Sequence, residues 1–592
     1  MARFFRREVS MKNDQNEAQI ISWLKKLTEK QQIEVCVYMY ENMADREREK
    51  LNSALRKYLK NLARIQDNAK IETNVAIMSS KERESWKEDS IKLLESIEDE
   101  EYKIEGQIEY DYTYDYYDDS ESVSYEDPDD VAGKIMQIIF FANGCFKAGY
   151  YLDALDLYDR LWALTVAVDV EYYDEESLTL DELVKNQLLA ADLGQMAEYT
   201  LYADYQVREP EERVEDMYQY FRYPAFDNVS MEKALTSGKE KLENTELFWR
   251  EWIAFLSSKY GQRETQLLEE TALYCGGAEL LEKVAEKNYC LHPQLVLDAM
   301  ESYKNTEYYE KMERCGEKAV ERMNHEYCIR SEIAKQTALA YEYQNKKYDQ
   351  GVIWQEIFRS DSTIKNLLFF FAADPKRARH YPVYKNACKV VNYQNSRELQ
   401  RNQISKDQYV PLRLLMGDFD EVEKYCKQYK DPVGWTGSFM KETIAMFLLF
   451  LYQGKTLRTA TSRLLFKIDF KEDEENLQTN LEKQIYKESR SKDISALWIL
   501  LSKWKEQYPM ELDERKQHLS WIKKLINDRA DAIVGNTYRG KYQETAIYLC
   551  AIGEVEESFG TTNAKLRIRQ EYKSKFPRHR AFHSDMSEFC KG

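Results

Sequence analysis

Three places in the chain hold residues whose types and spacing could do chemistry. The first, Gly535-Asn536-Thr537-Tyr538-Arg539-Gly540-Lys541-Tyr542, matches the Gly-x4-Gly-Lys skeleton of a phosphate-binding loop. Tyr542 stands where that loop needs a Ser or Thr hydroxyl for magnesium, and the preceding Leu525 to Ala532 carry a helical pattern, not a strand. A phosphate cradle needs a strand that delivers glycine amides to a helix start, so a turn between helices is expected here. Gly454-Lys455-Thr456 fails differently, with Leu449 where the first glycine belongs. The second place is His579 and His583, four apart and on one helix face, with Asp585 and Cys590 nearby. A closed zinc centre needs two further ligands at proper spacing, and the flanking Arg578 and Arg580 mark a solvated terminal helix, so no metal is assigned. His292, His325, His380 and His518 lie in separate segments with no nucleophile motif beside them. No catalytic residue and no cofactor follow from these patterns.

The third place is an acidic, tyrosine-rich segment. From Glu98 to Asp130 acids and tyrosines dominate and Lys103 is the sole basic residue; its centre carries Tyr110, Asp111, Tyr112, Tyr114, Asp115, Tyr116, Tyr117, Asp118 and Asp119. Rings beside carboxylates could capture a basic groove on a protein partner. Like charges at this density oppose packing, so residues 98–130 are expected to form a disordered loop between an N-terminal helical region, 1–97, and the rest of the chain, 131–592. Asp127 to Asp130 would then place carboxylates at the start of a helix near Val131.

The elements that must position such residues are helices. Glycine and proline are scarce (20 and 10 in 592 residues), strand-like alternation is rare, and apolar residues recur at spacings of three and four, so the class is all-α. A short phrase repeats: Lys147-Ala148-Gly149-Tyr150, Asn345-Lys346-Lys347-Tyr348 and Met416-Gly417-Asp418-Phe419, each followed by a helical run. Such phrases mark the tight turns of helix hairpins. Repeated along a chain, hairpins predict an irregular α-solenoid resembling tetratricopeptide arrays. Hairpins are expected at Tyr303 to Met323, Thr337 to Phe358, Tyr409 to Tyr429, Thr443 to Phe466 and Ala546 to Tyr572.

Charge and cysteines narrow the function classes. The net charge, 85 − 104 = −19, repels nucleic acid and anionic membranes at long range. A basic run on the C-terminal helix, Lys565, Arg567, Arg569, Lys573, Lys575, Arg578 and Arg580, reads first as a solvated face and only second as a nucleic-acid contact. Apolar runs such as Ala445 to Tyr452 fall well short of the ~20 residues that span a bilayer. The N-terminus lacks an apolar signal core, and Met11 offers an alternative start. Ten cysteines are scattered singly with no Cys-x-x-Cys, which predicts reduced thiols and a cytoplasmic setting.

Three segments resemble a known helical region. Trp23-Leu24-x2-Leu27-x3-Gln31-Gln32-Ile33, Tyr303-x4-Tyr308-Tyr309-Glu310-x5-Gly316-Glu317-Lys318-Ala319, and the tail from Tyr538 through Ala564-Lys565 to His579-Arg580-Ala581-Phe582-His583 are similar to the helical part of bacterial proteins that carry a SWIM-type zinc finger, and to related stand-alone helical proteins. The finger itself needs Cys-x-Cys followed by Cys-x-His, and the chain has no Cys-x-Cys. The resemblance therefore implies a helical-repeat scaffold of bacterial type with no activity attached. The expected function is a non-enzymatic scaffold or adaptor that holds a protein or peptide partner in a solenoid groove. The alternative is a regulatory or sensing subunit of a bacterial effector system.

Overall fold

A computed structural model of the chain describes residues 45–111, 120–170, 176–381, 404–470 and 478–590, with isolated positions between 28 and 43. The fold is predominantly α-helical, as composition predicts. The chain divides into two compact units, Met1–Trp252 and Ile253–Gly592.

In the first unit, helices α1 (Asp45–Asn74), α2 (Ser80–Glu98), α3 (Val131–Ala148), α4 (Tyr151–Ala163) and α5 (Leu193–Val207) pack around apolar faces, α3 against α1 and α4, and α4 against α2 and α5. Ile135, Ile138, Ile139 and Ala142 of α3 and Leu155, Tyr158, Leu161 and Trp162 of α4 are all buried. The start of α3 is capped by Asp127, whose two carboxylate oxygens accept from the Val131 and Ala132 amides at 2.7 and 3.0 Å. Free amides at a helix start attract that charge.

The acidic segment corrects an expectation. Part of it is strand: β1 (Ile104–Asp111) pairs antiparallel with β2 (Ser120–Glu126), and β1 runs parallel to β3 (Thr165–Val170), which pairs with β4 (Glu176–Thr179), giving the order β2-β1-β3-β4. Ile104 and Gly106 are buried while Glu105 and Gln107 face out. Glu105 thus lies on the solvent side of a period-two pattern, where its charge does not oppose pairing. The segment lies inside the first unit and does not separate helical regions.

The second unit contains α6 (Gln262–Lys287, broken at Gly277), α7 (Gln294–Asn305), α8 (Tyr309–Arg322), α9 (Ile329–Tyr343), α10 (Gln350–Ser360) and α11 (Ile364–Ala373). After residues outside the described set come α12 (Phe419–Gln428), α13 (Met440–Leu451), α14 (Ala496–Lys505), α15 (Leu512–Gly535), α16 (Tyr542–Ser558), α17 (Ala564–Lys575) and α18 (Arg580–Phe589). In α13 every residue from Thr443 to Leu451 is buried; the helix runs through the core, apolar on all sides.

The repeated turn phrase has one physical form. Gly149, Asn345 and Gly417 have φ of 88°, 54° and 79°. In each case the next amide reaches back to a carbonyl five residues earlier: Tyr150 to Cys145 at 2.8 Å, Lys346 to Tyr341 at 2.9 Å and Asp418 to Arg413 at 3.1 Å. This left-handed cap satisfies carbonyls that a helix end leaves bare, which explains the glycine or asparagine of the phrase.

Close packing fixes another glycine. A Cβ on Gly316 of α8 would lie 2.1 Å from Thr337 Oγ1 of α9 and 2.7 Å from Met300 Cε of α7. The threonine is short and cannot swing clear, so Gly316→Ala is expected to force the helices apart at a cost of about 1–3 kcal/mol. Urea unfolding followed by circular dichroism measures this; an unchanged midpoint would show that the three helices yield freely.

The cysteines bring a second correction. Cys550 in α16 and Cys590 just after α18 form a disulfide, with Cα atoms 5.3 Å apart. The chain turns back after α17 and lays Phe582, Met586 and Phe589 of α18 into the core, which carries Cys590 to Cys550. Cysteines that look solitary in sequence are neighbours in space. Cys36 and Cys388 lie outside the described residues.

Candidate functional site

The chemistry weighed from sequence is accounted for by packing. Gly535 ends α15, Arg539–Lys541 is a single 3-10 turn, and α16 follows, so no strand feeds this loop. Lys541 Nζ is spent on the Val433 carbonyl at 3.0 Å. His583 Nε2 bonds the Phe576 carbonyl at 2.8 Å, and Cys590 is held in the disulfide. No group of three His, Cys, Asp or Glu side chains among the described residues is placed to hold a metal ion. Within the basic run, Lys565 is buried, Lys575 pairs with Asp531 at 2.6 Å, and Arg569 donates to Ser587 at 2.6 Å. Tyr110 and Asp111 sit on β1, opposite Glu121 and Ser120; Tyr112, Tyr114, Asp115, Tyr116, Tyr117, Asp118 and Asp119 lie outside the described residues.

A different feature stands out in the second unit. An open groove of about 1010 Å³ runs between the first turns of α6, the outer face of α7, the start of α9 and the end of α10. Glu269, Asp298, Glu332 and Asp361 line it, each from a different segment, together with amides from Gln262, Gln266 and Gln294. Among the described residues that line it, none is lysine or arginine.

The carboxylates are held in place and partly desolvated. Gln294 Nε2 donates to Asp298 at 2.9 Å, Asn366 Nδ2 to Asp361 at 2.8 Å, and Gln478 Nε2 to Glu332 at 2.5 Å. Burial raises the pKa of Glu269, and the charge of Asp298 adds to it. Burial raises Asp298 as well, against the Gln294 hydrogen bond, and raises Asp361 against Asn366 and Lys335. Three carboxyls therefore hold their protons to higher pH than free ones, and a cation arriving between them would relieve the cost.

Behind the wall, His292 is fully buried. Its Nδ1 lies 2.8 Å from Thr265 Oγ1 and its Nε2 3.2 Å from the Leu256 carbonyl. Burial lowers its pKa, which favours the neutral ring, and the Thr265 hydroxyl beside Nδ1 also donates to the Gly261 carbonyl at 2.8 Å. The ring is a strut that fixes the first turn of α6. Cys328 at the groove edge has its thiol pushed up to about 12 by burial, which keeps it protonated and unreactive at pH 7.

No sequence signal announces these four acids, because each looks like an ordinary polar position on its own helix. Only the stacking of consecutive hairpins turns them toward one space. No family model, no curated protein and no solved structure matches the chain, so the groove's chemistry has to be argued from its own residues.

Proposed function

We propose that the chain is a protein-binding scaffold whose helix hairpins stack as a solenoid, and that the groove of the second unit holds an extended basic segment of a partner. The observation that carries this reading is the groove itself, with four carboxylates, three side-chain amides and no cation along its walls. Extended peptides suit such a surface: amides meet the backbone and carboxylates meet lysine or arginine side chains. Complementary charge speeds encounter and fixes register more than it adds raw affinity. A regulatory subunit that senses such a segment would use the same contacts.

The test is fluorescence anisotropy with a labelled peptide that alternates lysine and leucine. Binding is expected to weaken with salt, and Glu269→Gln with Asp298→Asn is expected to weaken it about ten-fold, from two partly desolvated charge contacts of about 0.7 kcal/mol each. Asp89→Asn with Asp513→Asn, at exposed positions, removes the same charge and should leave affinity unchanged. Equal effects of the two pairs would reduce the binding to attraction by net charge and overturn the reading. On acidification, binding should fall at a higher pH than free carboxyls would dictate, because carboxyls with raised pKa take up their protons first.

A further inference from the structure

The second unit holds another cavity, and lysines stand at its mouth. It encloses about 520 Å³ between the end of α12, the turn from Tyr429 to Trp435, and α15. Trp435, Met440 and Trp521, all buried, form an apolar floor with Pro432 and Leu525. At the mouth stand Lys427, Lys430 and Lys524 against one lining acid, Asp528.

Two of the three lysines are already paired. Lys427 pairs with Glu423, and Lys524 with Asp528 at 2.9 Å. Asp431, next to Lys430, turns its carboxylate onto the Val433 amide at 3.0 Å. Lys430 is exposed and has no carboxylate partner among the described residues. The Lys430 ammonium over a tryptophan floor is thus the charge at the mouth that no ion pair of the described residues takes up.

The floor is rigid before anything binds. Arg529 lies 4.8 Å from the centre of the Trp435 ring and donates to the Pro432 and Val433 carbonyls at 2.8 and 3.1 Å. Tyr429 OH donates to the Gly434 carbonyl at 3.1 Å, and Tyr548 meets Trp435 edge-on at 5.5 Å. A preformed apolar pocket with a few convergent charges is what small-molecule sites have in common, and its size falls within their usual range of roughly 300–1,000 Å³. A pinned turn also spares the ligand the cost of ordering it.

We propose that this cavity binds a small organic anion: an aromatic or branched apolar body seated on Trp435 and Trp521, with one carboxylate, sulfonate or phosphate held by Lys430 beside the Lys524–Asp528 pair. Neither half of such a ligand suffices alone. The body fills the floor, and the anion finds the charge that no local acid satisfies.

Anilinonaphthalene sulfonate tests this directly, since it joins an apolar body to one anionic group and its fluorescence rises on binding. The full chain is expected to show a saturable site. Lys430→Glu with Lys524→Gln should weaken it about ten-fold, and phenylnaphthylamine, which has a comparable body without the sulfonate, should bind about ten-fold more weakly than the sulfonate. Circular dichroism should be unchanged, because both lysines are exposed. If that pair of changes disturbs folding, Lys430→Gln with Lys524→Gln serves in its place, with a shallower salt dependence expected. Absence of a saturable site, equal binding by the folded variant, or equal binding of the uncharged compound would overturn the proposal.

Discussion

Breaking the bond between Cys550 and Cys590 is expected to destabilise the second unit by about 4 kcal/mol, the loop entropy that a 40-residue closure removes from the unfolded chain. The bond ties the middle of α16 to the residue that follows α18, and both cysteines are buried. Without it, α18 is held by the docking of Phe582, Met586 and Phe589, with the Phe582 ring 5.5 Å from Tyr542 and 6.1 Å from Tyr572, and by the hydrogen bonds of His583 and Ser587. A helix of ten residues is marginal on its own, so the tail should be the first part to open. Urea unfolding of the oxidised chain, with and without dithiothreitol, measures the loss. Cys590→Ser should reproduce the reduced curve and no longer respond to the reductant. Quantitative trapping of both thiols in the native chain under non-reducing conditions would remove the basis of the prediction.

The second large effect is expected at Arg529. The side chain is fully buried, bonds Glu544 at 2.9 Å, and supports the turn beneath the lysine-rimmed pocket. Arg529→Leu leaves Glu544 facing Lys441 and Lys467 at 3.6 and 3.3 Å but strips the Pro432 carbonyl of its donor. Breaking a buried pair from one side costs about 3–5 kcal/mol. Glu544→Gln should cost less on top of Arg529→Leu than in the parent, because the buried Arg529 guanidinium is then no longer there to be left without its carboxylate; a double-mutant cycle reads the difference. Full additivity would show that the two side chains do not act as a pair.

The pair also sets an acid dependence. Burial works to raise the Glu544 pKa, but Lys467, Arg529 and Lys441 outweigh it and hold the carboxyl below its ordinary value. A carboxyl with a depressed folded pKa stabilises the native state above its unfolded pKa, and that contribution is lost as the pH falls through the folded value. Stability measured from neutral to acid pH should therefore fall less steeply for Arg529→Leu than for the parent.

How much of this was legible in the sequence depends on the range of the physics involved. The turn phrase was readable because a left-handed cap is a local event: Gly149, Asn345 and Gly417 each sit where only a few residue types are comfortable, and the carbonyls they satisfy lie within one turn. The hairpins Tyr303 to Met323 and Ala546 to Tyr572 were readable because apolar stripes repeat with the helix period. The strand at Ile104–Asp111 is hidden in the sequence although Ile104, Gly106, Ile108 and Tyr110 alternate with polar residues, because like charges at this density argue against packing and the pairing partners lie elsewhere along the chain.

The sequence by itself determined that the chain is helical, where its hairpins turn, and that the segments resembling a phosphate loop and a zinc pair lack the neighbours such chemistry needs. These are matters of spacing along one chain. Only the tertiary structure decided which residues meet: Cys550 with Cys590, Arg529 with Glu544, and the acids of four segments around one groove. Each is a contact between hairpins, and the pattern within a hairpin says which face is buried but not which residues of the next hairpin it will find there.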